Sequence, residues 1–432
     1  MLNAKRLIGA IAGCLVLFAV ACAFAQDLPL RQGDGRSLIY DISPTPPDAQ
    51  DWPQWRGVNR DGKISGFTAP AAWPKELAQK WKTTVGLGDA TPALVGDRLY
   101  VFTRQENDEV ILCLNAADGK EIWQNKYPAI TVTGPPSAHP GPWSSPTVAD
   151  GKVVTLGLGC VLSCLDAASG KLLWRNEDYA TTESPFYPSM SPMVVDGMCI
   201  AQLGKKDTGV ILALDLTTGN VKWKWGPGDC PSFASPVLMT ADGVKQIVTL
   251  TEKRIVGVAT ADGKLLWEIP FEAKGRSFNA PTPIVDGQTL IYTGATRGTK
   301  AVKIEKQGDA FTVKELWSST VATIFNTPVL KDGLLYGLSE RASLFCLNAQ
   351  TGQEAWTAKD KLSPFGSIID AGSVLIALTE KKGLIVYKPD DKEYEELARY
   401  KVSDTSIYAH PVIAGKRIFI KDKDTLTLWM IE

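Results

Sequence analysis

One recurring pattern in this chain places an aromatic residue three positions before a proline, with polar side chains beside it. The candidate ligand-contacting residues in this pattern are Trp143, Phe233, Phe278, Asn279, Phe325, Asn326, Tyr408 and His410. Aromatic rings supply broad contact area, while amide and imidazole groups supply direction, which is the composition of a ligand pocket. The alternative is that these rings only pack over the core, because repeated apolar positions usually do.

Residues that carry bond-making chemistry are scarce in the sequence. The two histidines are His139 and His410, and there is no H-E-x-x-H, C-x-x-C, G-x-S-x-G or P-loop motif. Aspartate and glutamate cluster at turns, where they stabilise the turn itself. A pair of catalytic carboxylates brought together in space, as in a glycosidase, stays open.

Seven tryptophans mark the ends of repeated units. They are Trp81, Trp123, Trp174, Trp223, Trp267, Trp317 and Trp356, at intervals of 39 to 51 residues. Short alternating strands at this period predict a β-propeller of four-stranded antiparallel blades. Since the tryptophans end the outer strands, we expect them to pack between blades. Tyr400 is predicted to take the tryptophan position in the seventh blade.

Each unit opens with a small residue, a proline and a short apolar strand. The opening prolines are Pro92, Pro146, Pro192, Pro236, Pro281, Pro328 and Pro411, and an eighth opening near Ser367 lacks one. The loops that carry the aromatic pattern lead into these inner strands, so they surround one mouth of the central channel. Residues 77–85 are an outer strand with no blade before it. We therefore predict an all-β, eight-bladed propeller whose last blade is closed by this N-terminal strand, pairing near Leu426–Trp429.

Composition divides the chain into a signal peptide at 1–25, a flexible tether at 26–50 and the propeller at 51–432. An apolar run follows Lys5 and ends at an A-x-A cleavage site. The mature chain is then exported, to the periplasm, the cell surface or the medium, and has no transmembrane segment. Cys22 leaves a lipid anchor as the alternative.

The net charge of the chain bears on its partners, and its cysteines bear on burial and disulfide bonds. Without the signal peptide the net charge is −3, which favours neither nucleic acid nor an anionic membrane. Cys113, Cys164 and Cys346 occupy one position of the repeat. Other blades carry a small residue there, so we predict that these three thiols are buried. The disulfide pairing among these three cysteines and Cys160, Cys199 and Cys230 stays open.

The segment from Asp51 to Gly62, which reads D-W-P-Q-W-R-G-V-N-R-D-G, is distinctive. It resembles the opening of exported PQQ-like β-propeller repeat proteins. The blade phrases and His139-Pro140-Gly141 resemble the same family over about residues 51–432. More distantly, the chain is similar to the propeller lipoprotein of the outer-membrane barrel assembly machinery. The resemblance implies the fold and does not fix a function.

Quinoprotein dehydrogenases of this superfamily hold PQQ and calcium at the channel, with acidic and amide ligands and often a disulfide between adjacent cysteines. This sequence has no adjacent cysteines, and no acidic set accompanies Asn279 and Asn326. We therefore expect neither PQQ nor calcium. The expected function is a non-catalytic module that binds an envelope protein or a glycan. A quinoprotein oxidoreductase or a carbohydrate-active enzyme is the alternative.

Overall fold

The computed structural model describes residues 50–181, 187–273, 278–381 and 383–432. The predicted signal peptide and all of the predicted tether except Gln50 lie outside these ranges, as does Phe186. Within them the strands form eight four-stranded antiparallel sheets, and a 3₁₀ helix spans Pro135–Ala138. The chain is an all-β, eight-bladed propeller, as the repeats predict.

The strands of the first four blades run in sequence order from the channel outward. Blade 1 contains β2 (Ala93–Val95), β3 (Arg98–Gln105), β4 (Asp108–Asn115) and β5 (Glu121–Pro128). Blade 2 contains β6 (Thr147–Ala149), β7 (Lys152–Leu156), β8 (Leu162–Asp166) and β9 (Leu172–Asn176). Blade 3 contains β10 (Met193–Val195), β11 (Met198–Leu203), β12 (Gly209–Asp215) and β13 (Val221–Gly228). Blade 4 contains β14 (Val237–Ala241), β15 (Val244–Leu250), β16 (Arg254–Ala259) and β17 (Leu265–Pro270).

The next three blades repeat this order, and the eighth combines both ends of the propeller. Blade 5 contains β18 (Ile284–Asp286), β19 (Thr289–Gly294), β20 (Gly298–Gln307) and β21 (Ala310–Ser319). Blade 6 contains β22 (Val329–Lys331), β23 (Leu334–Leu338), β24 (Leu344–Asn348) and β25 (Glu354–Thr357). Blade 7 contains β26 (Gly366–Asp370), β27 (Leu375–Thr379), β28 (Gly383–Tyr387) and β29 (Glu396–Lys401). Blade 8 contains β30 (Val412–Ala414), β31 (Arg417–Lys421), β32 (Thr425–Met430) and β1 (Ala78–Thr84).

Strand β1 closes the ring. It pairs antiparallel with β32, with Lys82 opposite Thr427 and Thr84 opposite Thr425. This confirms the predicted closure and protects an edge of β32 that would otherwise be open to other chains. Because these two strands come from opposite ends of the propeller, no turn connects them.

The outer-strand tryptophans pack between neighbouring blades, as predicted. Trp174 of blade 2 donates its indole N–H to the carbonyl of Leu216 in blade 3, at 2.9 Å. Its ring covers Gly219, where an added Cβ would lie 2.8 Å from the ring. Gly219 also has a φ of 74°, which favours glycine. The glycine of the repeated turn phrase is thus required by the tryptophan of the preceding blade.

Tyr400 does not take the tryptophan position of blade 7. The register places Ala398 opposite Val386, directly after the bulge, where other blades carry tryptophan. Tyr400 follows two residues later and donates its hydroxyl to the carbonyl of Pro74 at 2.9 Å. The prediction was wrong because blade 8 has no turn between its third and fourth strands, and so offers no glycine to cover.

A ring of hydrogen bonds joins the blade openings. The residue before the opening proline donates its backbone N–H to the hydroxyl of the matching residue in the next blade. These bonds, of 2.9 to 3.0 Å, join Thr91, Ser145, Ser191, Ser235, Thr282 and Thr327 in order, and His410 donates to Thr91. At these six openings the residue before the proline is serine or threonine because its hydroxyl accepts this bond, whereas blade 8 has His410, which only donates.

These hydrogen bonds identify the true opening of blade 5 and show how the opening of blade 7 differs from the others. Blade 5 opens at Thr282-Pro283 and not at Ala280-Pro281, because Thr282 makes the bonds to blades 4 and 6. In blade 7 the inner strand already begins at Gly366. The buried Ser367 hydroxyl has no hydrogen-bond partner in the described part of the chain. Blade 7 thus lacks both the proline and the bond.

The cysteines are buried thiols, with no disulfide among the described residues. Cys113 lies opposite Trp123 across blade 1, and Cys164 and Cys346 take the same place in their blades. Gly257 fills this position in blade 4, where an added Cβ would lie 2.3 Å from the ring of Trp267. The position therefore selects a small side chain rather than a reactive one.

We expect Trp174→Ala to lower the free energy of unfolding by about 3–5 kcal/mol, because it removes a large buried ring. Leu173→Ala is the control on the same strand, since Leu173 is 42% exposed and Trp174 is 9% exposed. Its expected effect is within about 0.5 kcal/mol. Chemical denaturation measures both variants, and similar losses would contradict the docking role of the tryptophan.

Candidate functional site

Residues 51–64 lie inside the channel, and we call this segment the channel plug. Trp52 exchanges two backbone hydrogen bonds with Leu94 of blade 1, at 2.8 and 2.9 Å. At the other end of the plug, Ile64 donates its N–H to the carbonyl of Asp370 in blade 7, at 2.9 Å. The plug thus extends the inner edges of two blades.

Two buried arginines fix the plug to opposite sides of the ring. The guanidinium group of Arg60 donates to the carbonyls of Ser191 and Pro192, at 2.7 and 2.9 Å. That of Arg56 donates to the carbonyls of Thr327 and Pro328, at 2.8 and 3.0 Å. All four carbonyls belong to blade openings. Burial lowers the pKa of Arg60 to about 9 and that of Arg56 to about 10. Both remain charged at neutral pH, so the plug bridges blades 3 and 6 with charge-assisted bonds.

Trp55 stands between these two cations. Its ring lies 5.5 Å from the guanidinium carbon of Arg56 and 5.8 Å from that of Arg60. The ring of His410 lies 5.8 Å from Trp55. Burial, followed by the charge of Arg56, lowers the pKa of His410 to about 3. The predicted ligand residue His410 is therefore an uncharged group packed against the plug.

Seven entrance loops place aromatic rings at one mouth of the channel, and we call this set the aromatic belt. Its members are His139, Trp143, Tyr187, Phe233, Phe278, Phe325, Phe365 and Tyr408. On one side the ring centroids are 5.5 Å apart for Phe278 and Phe233, 6.3 Å for Phe233 and Trp143, and 6.0 Å for Trp143 and Tyr187. On the other side they are 4.3 Å apart for Phe325 and Phe365, 5.5 Å for Phe365 and Tyr408, and 4.8 Å for Tyr408 and His139.

The two sides of the belt join within one loop. The indole N–H of Trp143 donates to the carbonyl of His139 at 3.0 Å. Most belt rings are half-buried, and Phe325 is 36% exposed. The five aromatic residues of the predicted site therefore share one surface, which packs on the core and also offers apolar contact area.

Asn279 sits behind the belt, and the fold uses its amide. It is 3% exposed and donates to the carbonyls of Thr251 and Phe271 at 2.8 and 2.9 Å. Its carbonyl oxygen accepts a hydrogen bond from Arg297 at 2.7 Å. Asn279 thus orients its loop from within the structure.

Asn326 does the same in the next loop. It is 2% exposed, donates to the carbonyl of Leu338 at 2.6 Å and accepts from the Leu338 N–H at 3.1 Å. Because blade 5 opens at Thr282 and not at Ala280, Asn279 lies four residues before its opening proline, whereas Asn326 lies two residues before its own. Neither side chain reaches the surface of the belt.

The sequence reasoning missed a polar pair at the belt. The Nδ1 atom of His139 lies 2.7 Å from a carboxylate oxygen of Asp89, and the side chains are 35% and 22% exposed. The hydrogen bond that His139 donates to Asp89 raises the pKa of His139. Both residues and Tyr408 line a cavity of about 230 Å³. The available signal was the position of His139 four residues before Trp143, within the same entrance loop.

A family model described as "Outer membrane protein assembly factor BamB" matches residues 60–155 and 107–358. The chain belongs to this family of PQQ-like β-propellers. The BamB of Burkholderia pseudomallei is 23% identical over 81% of this chain and 86% of its own length. A tetrathionate hydrolase of Acidithiobacillus ferrooxidans is 23% identical over 64% of this chain, and the chain spans 55% of that enzyme.

Solved structures of the PQQ-like propeller type share the fold. The quinohemoprotein alcohol dehydrogenase of Comamonas testosteroni has a TM-score of 0.66 at 16% identity, over 88% of this chain and 80% of that one. BamB from Moraxella catarrhalis has a TM-score of 0.61 at 14% identity, over 82% and 98%. At these identities the likeness shows the fold alone.

The channel residues that could contact a quinone with calcium are engaged within the fold. The plug fills the channel, and its arginines already bind backbone carbonyls. The two asparagine amides that could supply oxygen ligands are taken up by the fold. Among the described residues, no three histidine, cysteine, aspartate or glutamate side chains are grouped to hold a metal ion.

We expect Arg60→Ala to lower the free energy of unfolding by about 1–3 kcal/mol, because it strands two buried carbonyls at the opening of blade 3. Lys63→Ala is the control within the plug, since Lys63 is exposed. Its expected effect is within about 0.5 kcal/mol. Urea denaturation compares the two, and a wild-type midpoint for Arg60→Ala would show that the plug is not clamped in the channel.

Proposed function

We propose that this chain is a non-catalytic binding module of the cell envelope, which holds a partner protein or a glycan across the aromatic belt. The observation that carries the proposal is the belt itself, a chain of touching aromatic rings supplied by seven loops. Rigid rings held by neighbouring rings lose little conformational freedom on binding, so their contact area contributes to affinity. The plug supports this role, because it leaves the mouth as the accessible end of the site.

The same geometry supports binding over catalysis. His410 carries no charge near neutral pH, and its neighbours are a tryptophan and an arginine rather than an acid. The buried arginines of the plug are committed to carbonyl groups. A quinoprotein oxidoreductase, the alternative function from the sequence, needs channel space and metal ligands that these residues do not offer.

An envelope location follows from two separate observations. The sequence predicts a signal peptide, and the matched family is described as an outer membrane protein assembly factor. In the part of the chain that the structure describes, no helix combines the length and apolar character needed to cross a membrane. From the predicted signal peptide and the family description, we propose export to the periplasm, the cell surface or the medium.

Phe325→Ala tests the binding surface. We expect it to weaken binding of an unfolded outer-membrane polypeptide or of an envelope oligosaccharide about fivefold to tenfold, near 1 kcal/mol, because it removes an exposed ring stacked on Phe365. Leu316→Ala, at an outer strand residue that is 45% exposed, is the control. Calorimetric titration measures affinity, and thermal unfolding checks stability. Unchanged affinity for every probe with lowered stability would reduce the belt to a packing device.

Addition of PQQ with calcium tests the enzyme alternative. We expect no heat of binding at micromolar protein and no dye-linked alcohol or sugar oxidation, because the plug fills the channel. A known quinoprotein titrated in the same buffer is the positive control. Micromolar or tighter binding of PQQ would mean that the plug can leave the channel, and would return the oxidoreductase to first place.

A further inference from the structure

A cavity lies at the belt where blades 8 and 1 meet, and we call it the rim pocket. It has a volume of about 230 Å³, and its polar side chains are Asp89, His139, Ser406, Tyr408 and Lys423. Pockets that enclose a whole drug-sized ligand usually measure about 300–1,000 Å³. The rim pocket therefore has room for one unit of a longer ligand, whose neighbouring units would run along the belt.

The rim pocket is organised around the imidazole of His139. Asp89 holds its Nδ1 atom at 2.7 Å, which leaves Nε2 as the nitrogen available to a ligand. The ring meets Tyr408 edge-on at 4.8 Å, so packing and hydrogen bonding fix its orientation together. The backbone wall at Gly88 is held by the buried amine of Lys421, at 3.0 Å. The pocket is thus a built surface rather than a gap between loops.

The lining offers hydrogen-bond donors to an anion. Lys423 is exposed and contributes an ammonium group. When protonated, His139 contributes a second cation, which is paired with the carboxylate of Asp89 through Nδ1. The neighbouring carboxylates are engaged elsewhere. Glu380 accepts hydrogen bonds from Ser406 and Ser363, and Asp422 accepts them from Ser403 and Thr425. The other charged groups next to the pocket are Asp424, beside Lys423, the buried Lys421, and Arg104, whose guanidinium group donates to the carbonyl of Pro140 in the lining at 3.1 Å.

We infer that the rim pocket binds the carboxylate of an acidic glycan, whose adjoining sugar rings lie on the belt at Tyr408 and Phe365. This inference rests on the proposed binding function of the belt and names the ligand class. A glycan fits better than a peptide strand, because the inner edge of blade 1 is already paired with the plug at Trp52. An added peptide strand needs such a free edge.

The inference predicts a dependence on pH. The hydrogen bond that His139 donates to Asp89 raises the pKa of His139, against the opposing effect of burial. The imidazole is therefore charged below that pKa and neutral above it. Uronate carboxylates have pKa values of roughly 3–4, so they stay ionised from pH 5.5 to 8.5. Affinity for the acidic glycan should be highest at the low end of this range and should fall as the pH rises through the pKa of His139.

The test compares tetragalacturonic acid with its methyl ester, which has the same sugar rings and no charge. Calorimetry at pH 6 should show the acid binding about tenfold more tightly than the ester. At pH 8.5 this preference should be several-fold smaller. His139→Gln and Lys423→Gln should each reduce the preference at pH 6. Lys423→Gln, which keeps every ring of the belt, should leave binding of the ester unchanged. Lys171→Gln, an exposed lysine on a turn of blade 2, is the charge-matched control.

The outcomes separate this inference from the proposed function. If acid and ester bind equally to the wild type, or if His139→Gln keeps the full preference and its pH dependence, the rim pocket is not an acid site. The belt would still be a binding surface if Phe325→Ala weakens binding of the ester. If neither form binds, the acidic-glycan inference is overturned. The proposed function would then depend on the polypeptide probe alone.

Discussion

The inner strands of a propeller turn backbone N–H and carbonyl groups towards the channel, and those groups need partners once water is excluded. This chain meets the constraint in two ways. Serine and threonine hydroxyls at the blade openings accept the N–H of the preceding blade and form a ring of bonds. The plug then supplies partners for carbonyls and strand edges that face the axis. The hydroxyl bonds and the plug contacts both lie at the inner strands of the blades.

In the function we propose, satisfying the inner backbone in this way leaves the channel mouth as the place where a ligand binds. Trp55 and two arginines that bind blade carbonyls occupy the channel of this chain, while the dehydrogenase of similar fold is a quinohemoprotein by name. The plug also supports the belt. The ring of His410 packs on Trp55 of the plug, and Tyr408 of the belt lies only two residues before His410 in the chain. One fold can thus serve different functions, depending on what occupies its axis.

The blade count, the ring closure and the packing of the tryptophans could be predicted from the sequence, because each depends on a local phrase that repeats. The errors arose where a contact is long-range or a repeat departs from its neighbours. Nothing local to Arg56 indicates that it binds the carbonyl of Thr327, 271 positions away. Tyr400 was misassigned because the partner that selects tryptophan belongs to the next blade. The opening of blade 5 was misassigned to Pro281 because the true opening proline, Pro283, follows two residues later. The Asp89–His139 pair joins two loops that are separated by a whole blade.

Hydrogen–deuterium exchange, with and without bound tetragalacturonic acid, tests the central claim that the plug fills the channel and ligands bind at the belt. The account predicts that amides of Trp52, Ile64 and their strand partners exchange only on global unfolding, with the same rates in both samples. Protection should rise in the entrance loops that carry His139, Phe365 and Tyr408. Rapid exchange throughout residues 51–64, or a ligand-induced change confined to that segment, would contradict it.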